Sequence, residues 1–390
     1  MKICFLTINI FCMGGVQRVV SNVANALSIE NEVTVICIGE IDKIDRTIYN
    51  LKDSIEIISQ PIFNEGKLYK VIRKLILKIH QNTKLLDNKL FQNFLEDIYI
   101  PNITKDSLAK VLSEGDYDVV IGVEGFCSYL LGSIAELIDV KTIGWQHNSF
   151  DAYFNTPGKY YWKRDFIFKK HLPKLANVIV LTQEDKLKFN SHFNITTIKI
   201  FNPLSFDLSV GNDLLSKNIL FVGRLEEKQK GLDLLIKSFY LVNQNRPDWN
   251  LVIVGDGPDK KKLSDDITKY NLWGNVIIHP FTNRIQDFYV DASIFISTSR
   301  WEGFGLVITE AMTCGLPIVA FENSGPTEIL DNGEYGILVP KYDVNKFAQA
   351  IIQLIENPNE LRYYSQKSLE RSKDFSLSEI IKQWECIIEN

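Results

Sequence analysis

No C-x-x-C pair occurs among the six cysteines, Cys4, Cys12, Cys37, Cys127, Cys314 and Cys386, and several of them sit inside apolar, strand-like runs. This scatter argues against a zinc site or a disulfide framework and for buried, reduced thiols in a reducing compartment, hence a cytoplasmic protein. No segment reaches the roughly 18–20 apolar residues that a membrane span needs. Low-complexity tracts and internal repeats are also missing. With 45 % apolar and 23 % charged residues the composition is that of an ordinary globular protein. The apolar start, Met1 to Met13, imitates a signal peptide, and Ala24-Asn25-Ala26 imitates its cleavage site. Thr7 and Asn9 break that stretch, and the helix after it is one the core needs, so both are read as part of the fold.

A chain of 390 residues is too long for one small core and predicts two domains. Its net charge of -5 is uneven: residues 1–205 hold 24 Lys+Arg against 22 Asp+Glu, and residues 206–390 hold 19 against 26. Basic residues concentrate in two stretches of the first half. From Lys67 to Lys89, Lys67, Lys70, Arg73, Lys74, Lys78, Lys84 and Lys89 interleave with Leu68, Val71, Ile72, Leu75, Ile76 and Ile79, the pattern of a basic amphipathic helix. From Lys159 to Lys174, Lys159, Lys163, Arg164, Lys169, Lys170 and Lys174 alternate with Tyr160, Tyr161, Trp162, Phe166 and Phe168. No nucleic-acid motif accompanies them, and the acidic second half would oppose such a partner.

The opening reads as a strand, Ile3 to Ile8, a break at Gly14-Gly15, and a helix with Val16, Val19, Val20, Val23, Ala24 and Leu27 at helical spacing. Glu32 to Gly39, Val119 to Val123, Lys141 to Trp145 and Val178 to Leu181 are short apolar runs of the buried parallel kind. The pattern restarts after Asn202-Pro203. Asn218 to Val222, Asn250 to Val254, Val276 to Ile278, Ser293 to Ser297, Pro317 to Ala320 and Gly336 to Val339 read as strands between helices at Gly231 to Asn245 and Lys260 to Tyr270. The chain ends in helices. This alternation predicts an α/β protein of two doubly wound, Rossmann-like domains, 1–203 and 204–374, with a terminal helix over 375–390 crossing back to the first. Ligands of such sheets sit at the carboxyl ends of the strands, here in a cleft between the domains.

The run Ser299 to Met312 carries the chemistry. A strand ends near Ser297, a glycine-containing loop follows, and a helix begins about Leu306, so Glu302 lies on the loop and Glu310 on the helix. The free N–H groups of the loop and helix start suit a phosphate. Carboxylates beside that anion would be repelled by it, and they fit better as acceptors from sugar or ribose hydroxyls. Asp116-Tyr117-Asp118 fits the Asp-x-Asp string of metal-dependent transferases, but it precedes the strand Val119 to Val123 and so lies at the wrong end for a ligand. Gly255-Asp256-Gly257 lacks the third glycine of a dinucleotide fingerprint.

Glu302 and Glu310, with seven residues between them and Gly303-Phe304-Gly305 after the first, resemble the E-x7-E signature of the family 4 retaining glycosyltransferases, which have the GT-B fold. The resemblance extends over nearly the whole chain: Gly14-Gly15 is similar to the family's glycine loop, Gly223-Arg224 with Lys230 to its diphosphate-binding pair, and Gly325-Pro326 with Glu328 to the segment behind the donor site. The resemblance implies that Glu310 binds the ribose hydroxyls, Glu302 the donor-sugar hydroxyls, and Arg224 and Lys230 the diphosphate. Gly303, Phe304, Gly305 and Leu306 would line the phosphates. Gly255, Pro280 and Phe281 would frame the base, taken as uracil because that is the family's commonest.

His147, just past a strand of the first domain, sits where the family often has a histidine on the donor sugar and acceptor side, and Glu124 holds a comparable strand-end place. No carboxylate nucleophile is evident, which favours a front-face mechanism in which the donor's β-phosphate takes the acceptor proton. No cofactor and no metal are expected, because Arg224, Lys230 and the helix end supply the positive charge. The implied activity is transfer of a hexose or N-acetylhexosamine from a UDP-sugar to a saccharide acceptor, lipid-linked, in bacterial polysaccharide synthesis. The two basic segments would rest on the inner, anionic face of the cell membrane, as such segments do in this family. A UDP-sugar epimerase on the same fold and a non-catalytic sugar-nucleotide-binding scaffold are the alternatives.

Overall fold

The computed structural model describes residues 1–62, 67–83, 85–206 and 212–389. They form two compact units, Met1–Pro203 with Ile380–Asn390, and Leu204–Glu379.

Among the described residues, the first unit has a seven-stranded parallel sheet of β1 (Lys2–Thr7), β2 (Glu32–Cys37), β3 (Glu56–Ser59), β4 (Val119–Val123), β5 (Lys141–Trp145), β6 (Asn177–Val180) and β7 (Thr197–Lys199), in the order β3-β2-β1-β4-β5-β6-β7. The central strands are apolar at nearly every position because both faces are covered by helices, and every residue of β4 is buried. The edges β3 and β7 are short and partly exposed, so neither carries the continuous apolar run that marks the inner strands in the sequence. Asp116 and Asp118 do lie at the amino end of β4, where the Lys2 ammonium is 3.1 Å from Asp116 Oδ2 and the Lys2 N–H donates to Asp118 Oδ2 at 2.7 Å. The terminal helix Leu377–Glu389 brings fully buried Trp384 against Trp145, ring centroids 4.6 Å apart. Lys141 Nζ also donates to the Ile387 carbonyl at 2.5 Å.

The second unit has, among the described residues, a six-stranded parallel sheet: β8 (Asn218–Val222), β9 (Asn250–Val254), β10 (Val276–His279), β11 (Ile294–Ser297), β12 (Ile318–Phe321) and β13 (Ile337–Val339), ordered β10-β9-β8-β11-β12-β13. Its core gathers Phe221, Leu235, Phe239, Ile253, Ile296, Phe347 and Ile351. In both sheets the chain winds outward in one direction and then in the other, so each has a point where the strand order reverses: β1 beside β4, and β8 beside β11. Such a point leaves a crevice at the carboxyl ends of the two strands. Cys4, Cys37, Cys127 and Cys314 are buried and Cys12 and Cys386 exposed, all as free thiols.

Candidate active site

The segments singled out in the second half of the sequence fall at the carboxyl edge of the second sheet. Gly223 and Arg224 follow β8, and Thr298 to Gly305 follow β11, at the reversal point. Gly255 follows β9, and Pro280 and Phe281 follow β10. The ends of β8 and β9 come so close that a Cβ on Gly255 would stand 2.0 Å from the Gly223 carbonyl oxygen, so only glycine fits. Asp256 ties two of these loops together. Its carboxylate accepts the Phe281 N–H at 2.7 Å and pairs with Lys260 at 2.9 Å, and these contacts hold the acid below the usual carboxylate range. Phe281 is 55 % exposed, a free aromatic surface beside the loop.

Lys230 ends the single helical turn Glu227–Lys230, and Gly231 in the left-handed region (φ +64°) turns the chain into the helix Leu232–Asn245. A Cβ on Gly231 would lie 2.2 Å from the Thr298 carbonyl oxygen, so glycine is what lets this corner dock on the loop after β11. Thr298 Oγ1 donates to the Lys230 carbonyl at 2.9 Å. Arg300 donates to the Glu227 carbonyl at 2.7 Å and to Asp233 at 2.8 Å. Held in this way, Lys230 Nζ donates to Glu302 Oε2 at 2.6 Å, and Ser299 Oγ donates to the same oxygen at 3.1 Å. Arg224, by contrast, is a largely exposed side chain 4.0 Å from Glu226. Lys230 and Glu302 therefore make one close, withdrawn ion pair, while Arg224 is held only by a long, exposed one to Glu226.

Beyond Glu302, Gly303, Phe304 and Gly305 are buried, and Gly305 precedes the helix Leu306–Thr313. The Glu302 carbonyl accepts the Gly325 N–H at 3.3 Å, which fixes the loop to the segment after β12. Asn323 Nδ2 donates to the Ser299 carbonyl at 3.2 Å from the same direction. Glu310 is not a solvated helix residue: it is 1 % exposed. Ser205 Oγ donates to its Oε1 at 2.6 Å and the Tyr289 hydroxyl to its Oε2 at 2.9 Å. Each of its two carboxylate oxygens thus accepts from a protein hydroxyl.

In the first unit Gly14 precedes the helix Gly15–Leu27 with extended backbone (φ 177°), and its N–H donates to the Tyr49 hydroxyl at 2.7 Å. His147 lies two residues past β5 with its side chain nine-tenths buried against Trp145, ring centroids 4.3 Å apart. Burial pushes its imidazole down to about 3, so the ring is neutral, and among the described residues Nε2 has no hydrogen-bond partner. Glu124 follows β4 at the reversal point with a left-handed backbone (φ +72°), a conformation that costs a non-glycine residue about 1 kcal/mol or more. Tyr153 links the two: its hydroxyl accepts the His147 N–H at 3.3 Å and donates to Glu124 Oε1 at 2.8 Å, while the Tyr161 hydroxyl donates to Glu124 Oε2. Burial raises the Glu124 carboxyl even against these two donors.

The basic stretches differ from the sequence reading. Lys67 to Lys89 is not one helix: the helix is Lys67–Asn82, and Lys89 opens a separate turn, Lys89–Phe91. Lys84 lies outside the described residues, as does the side chain of Lys67. The second stretch is not a free basic face, because Lys163 pairs with Asp87 at 2.8 Å, Lys170 with Glu96 at 2.6 Å and Lys174 with Glu136 at 2.5 Å. Arg164 stacks over the Tyr99 ring at 4.6 Å. Glu96 is buried, and although burial opposes its charge, hydrogen bonds from His171 and Lys170 outweigh it and hold the acid down at about 2. Among the described residues no helix is long and apolar enough to cross a membrane.

Residues 210–371 match the family described as Glycosyl transferases group 1. The matched stretch covers nearly all of the second unit, including Arg224, Lys230, Glu302 and Glu310. An uncharacterized glycosyltransferase of Haemophilus influenzae is 29 % identical over 99 % of both chains. The poly(ribitol-phosphate) alpha-N-acetylglucosaminyltransferase of Staphylococcus aureus is 27 % identical over 79 % of this chain and 69 % of its own length. Among solved structures, Anabaena HepE in complex with UDP aligns over 100 % of both chains with a TM-score of 0.74 at 19 % identity. That likeness shows the GT-B fold. The matched stretch and these relatives are those of glycosyltransferases. Tyr289 and Asn323 also lie in the matched stretch and contact the run Ser299 to Met312, yet no sequence pattern marks them, and Ser299 and Arg300, inside that run, are given no role by sequence alone. Their contacts reach residues up to 73 positions away, as Arg300 does to Glu227, which no local pattern encodes.

Proposed function

We propose that this chain is a retaining glycosyltransferase that moves a hexose or N-acetylhexosamine from a UDP-sugar to a saccharide acceptor. The observation that carries this reading is the pairing of Lys230 with Glu302 on the sheet edge that also holds Glu310. A lysine with three donors can keep one on Glu302 and offer the others to a diphosphate, which leaves Glu302 beside the anion to accept from sugar hydroxyls. Arg224, largely exposed and held only by a long ion pair to Glu226, would close on the same phosphates and stabilise the charge that develops on the leaving group. Glu310 would read the ribose.

With lysine, arginine and backbone N–H groups as the positive elements, the reading needs no metal or cofactor. In the front-face route the acceptor hydroxyl attacks the anomeric carbon as the bond to the diphosphate breaks, and the β-phosphate takes its proton. The alpha linkage in the name of the Staphylococcus aureus relative is the outcome that retention gives from an α-configured donor. On the first unit, neutral His147 would serve as a hydrogen-bonding partner of a sugar hydroxyl and not as a charge.

The acceptor is proposed to be lipid-linked. The helix Lys67–Asn82 turns Ile76, Leu77 and His80 inward and leaves Val71 (64 % exposed), Ile72 and Leu75 outside beside the exposed Lys70, Lys74 and Lys78. Apolar side chains set among lysines suit an anionic lipid surface, where each base contributes about 1 kcal/mol. This would make the enzyme peripheral on the inner face of the cell membrane.

The test is a panel of UDP-sugars with and without saccharide acceptors, following UDP release and reading the product's anomeric configuration by NMR. Acceptor-dependent UDP release with an α product is expected. Interconversion of the sugar without UDP release would replace this reading with an epimerase.

A further inference from the structure

The Glu310 carboxylate lies on the eight-residue helix Leu306–Thr313, on a side chain with three rotatable bonds, and a carboxylate that must read two neighbouring hydroxyls has to be held at one angle. Of the two hydroxyls bonded to it, Ser205 Oγ comes from the first residues of the second unit, just after Leu204. The Tyr289 hydroxyl comes from the opposite kind of place. Tyr289 sits on the short helix Ile285–Val290, is 0 % exposed, and packs its ring beside Phe295 and Phe206 at centroid distances of 6.0 and 6.1 Å. A ring fixed on every side presents its hydroxyl at a fixed point. That hydroxyl also stands 3.3 Å from the Val307 carbonyl, but it has one proton, and the charged acceptor at 2.9 Å is both closer and stronger.

We propose that Tyr289 is a positioning residue for nucleotide recognition: its hydroxyl clamps Glu310 Oε2 and so sets the angle at which the carboxylate meets the two ribose hydroxyls of the donor. This rests on the reading of Glu310 as the ribose-binding residue. Each carboxylate oxygen can accept about two hydrogen bonds, so with Oε2 clamped, Oε1 can exchange the Ser205 hydroxyl for a ribose hydroxyl. Without the clamp the carboxylate stays buried but turns about its last bond, and what it loses is discrimination between hydroxyl patterns.

The test is calorimetric titration of the full chain with UDP and with 2′-deoxy-UDP. The unaltered protein should favour UDP by about tenfold, the worth of one hydrogen bond to a charged group. Tyr289→Phe keeps the ring and removes only the O–H. Its UDP Kd should rise about tenfold and the ratio between the two nucleotides should fall toward one, with the melting temperature moved by a few degrees at most. A ratio unchanged in Tyr289→Phe overturns the positioning role. Glu310→Asp, which keeps the charge but draws the carboxylate back from Tyr289, gives a second measure: the ratio should collapse there too, and its survival would also overturn the inference. Equal affinity of the unaltered protein for the two nucleotides would remove the ribose reading of Glu310 itself, a result distinct from either variant's.

Discussion

Lys230 Nζ and Glu302 Oε2 stand 2.6 Å apart across 72 residues of sequence, with side chains only 13 % and 15 % exposed. A pair this withdrawn from solvent is costly to split, because removing one partner leaves the other charge without its counterpart.

Lys230→Ala and Glu302→Gln should each lower kcat/KM by about a hundredfold or more. The double variant should lose much less than the product of the two, with a coupling of about 0.5–3 kcal/mol. A double-mutant cycle on donor turnover measures it. Strict additivity would mean that the two side chains act separately and that the pair is only a surface contact.

The neutral His147 has a thermodynamic signature. Its folded-state value of about 3 lies below the ordinary 6.5, so between those limits the unfolded chain takes up a proton that the folded chain does not. Its contribution to stability is therefore constant above pH 7 and declines as pH falls through the window, by about 1.4 kcal/mol per pH unit at full slope. Glu124, raised by burial, works in the opposite sense in acid, so the comparison must be with a variant at His147 alone. Denaturant unfolding of His147→Phe from pH 7.5 to 4.5 should show a flatter acid limb than the unaltered protein. Parallel pH curves would show that the ring titrates normally.

The surface of the helix Lys67–Asn82 predicts vesicle binding that needs both of its chemistries. Val71→Glu with Leu75→Glu, and separately Lys74→Glu with Lys78→Glu, should abolish sedimentation with anionic vesicles while leaving the circular dichroism spectrum intact, since all four side chains are exposed. Binding of the unaltered protein should weaken as salt rises. Lys170→Glu serves as a contrast, because Lys170 is already paired with Glu96 and should matter little for vesicles. Binding that ignored salt and lipid charge would exclude the electrostatic part.

Sequence by itself determined the inner architecture. Val119–Val123 and Asn250–Val254 read as buried parallel strands because a strand covered on both faces must be apolar throughout. The seven residues between Glu302 and Glu310 likewise put one carboxylate on a loop and the other on a helix. The tertiary structure decided what those residues touch. The sheet order set β8 beside β11 and so brought Lys230 to Glu302. It buried Glu310 beneath Ser205 and Tyr289, added the short edge strands β3 and β7, and neutralised much of the Lys159 to Lys174 stretch with acids from Asp87 to Glu136. Hydrophobic periodicity reports whether a position is covered and is blind to which partner covers it. Ion pairs and hydrogen bonds between distant residues follow only from the order in which the strands pair.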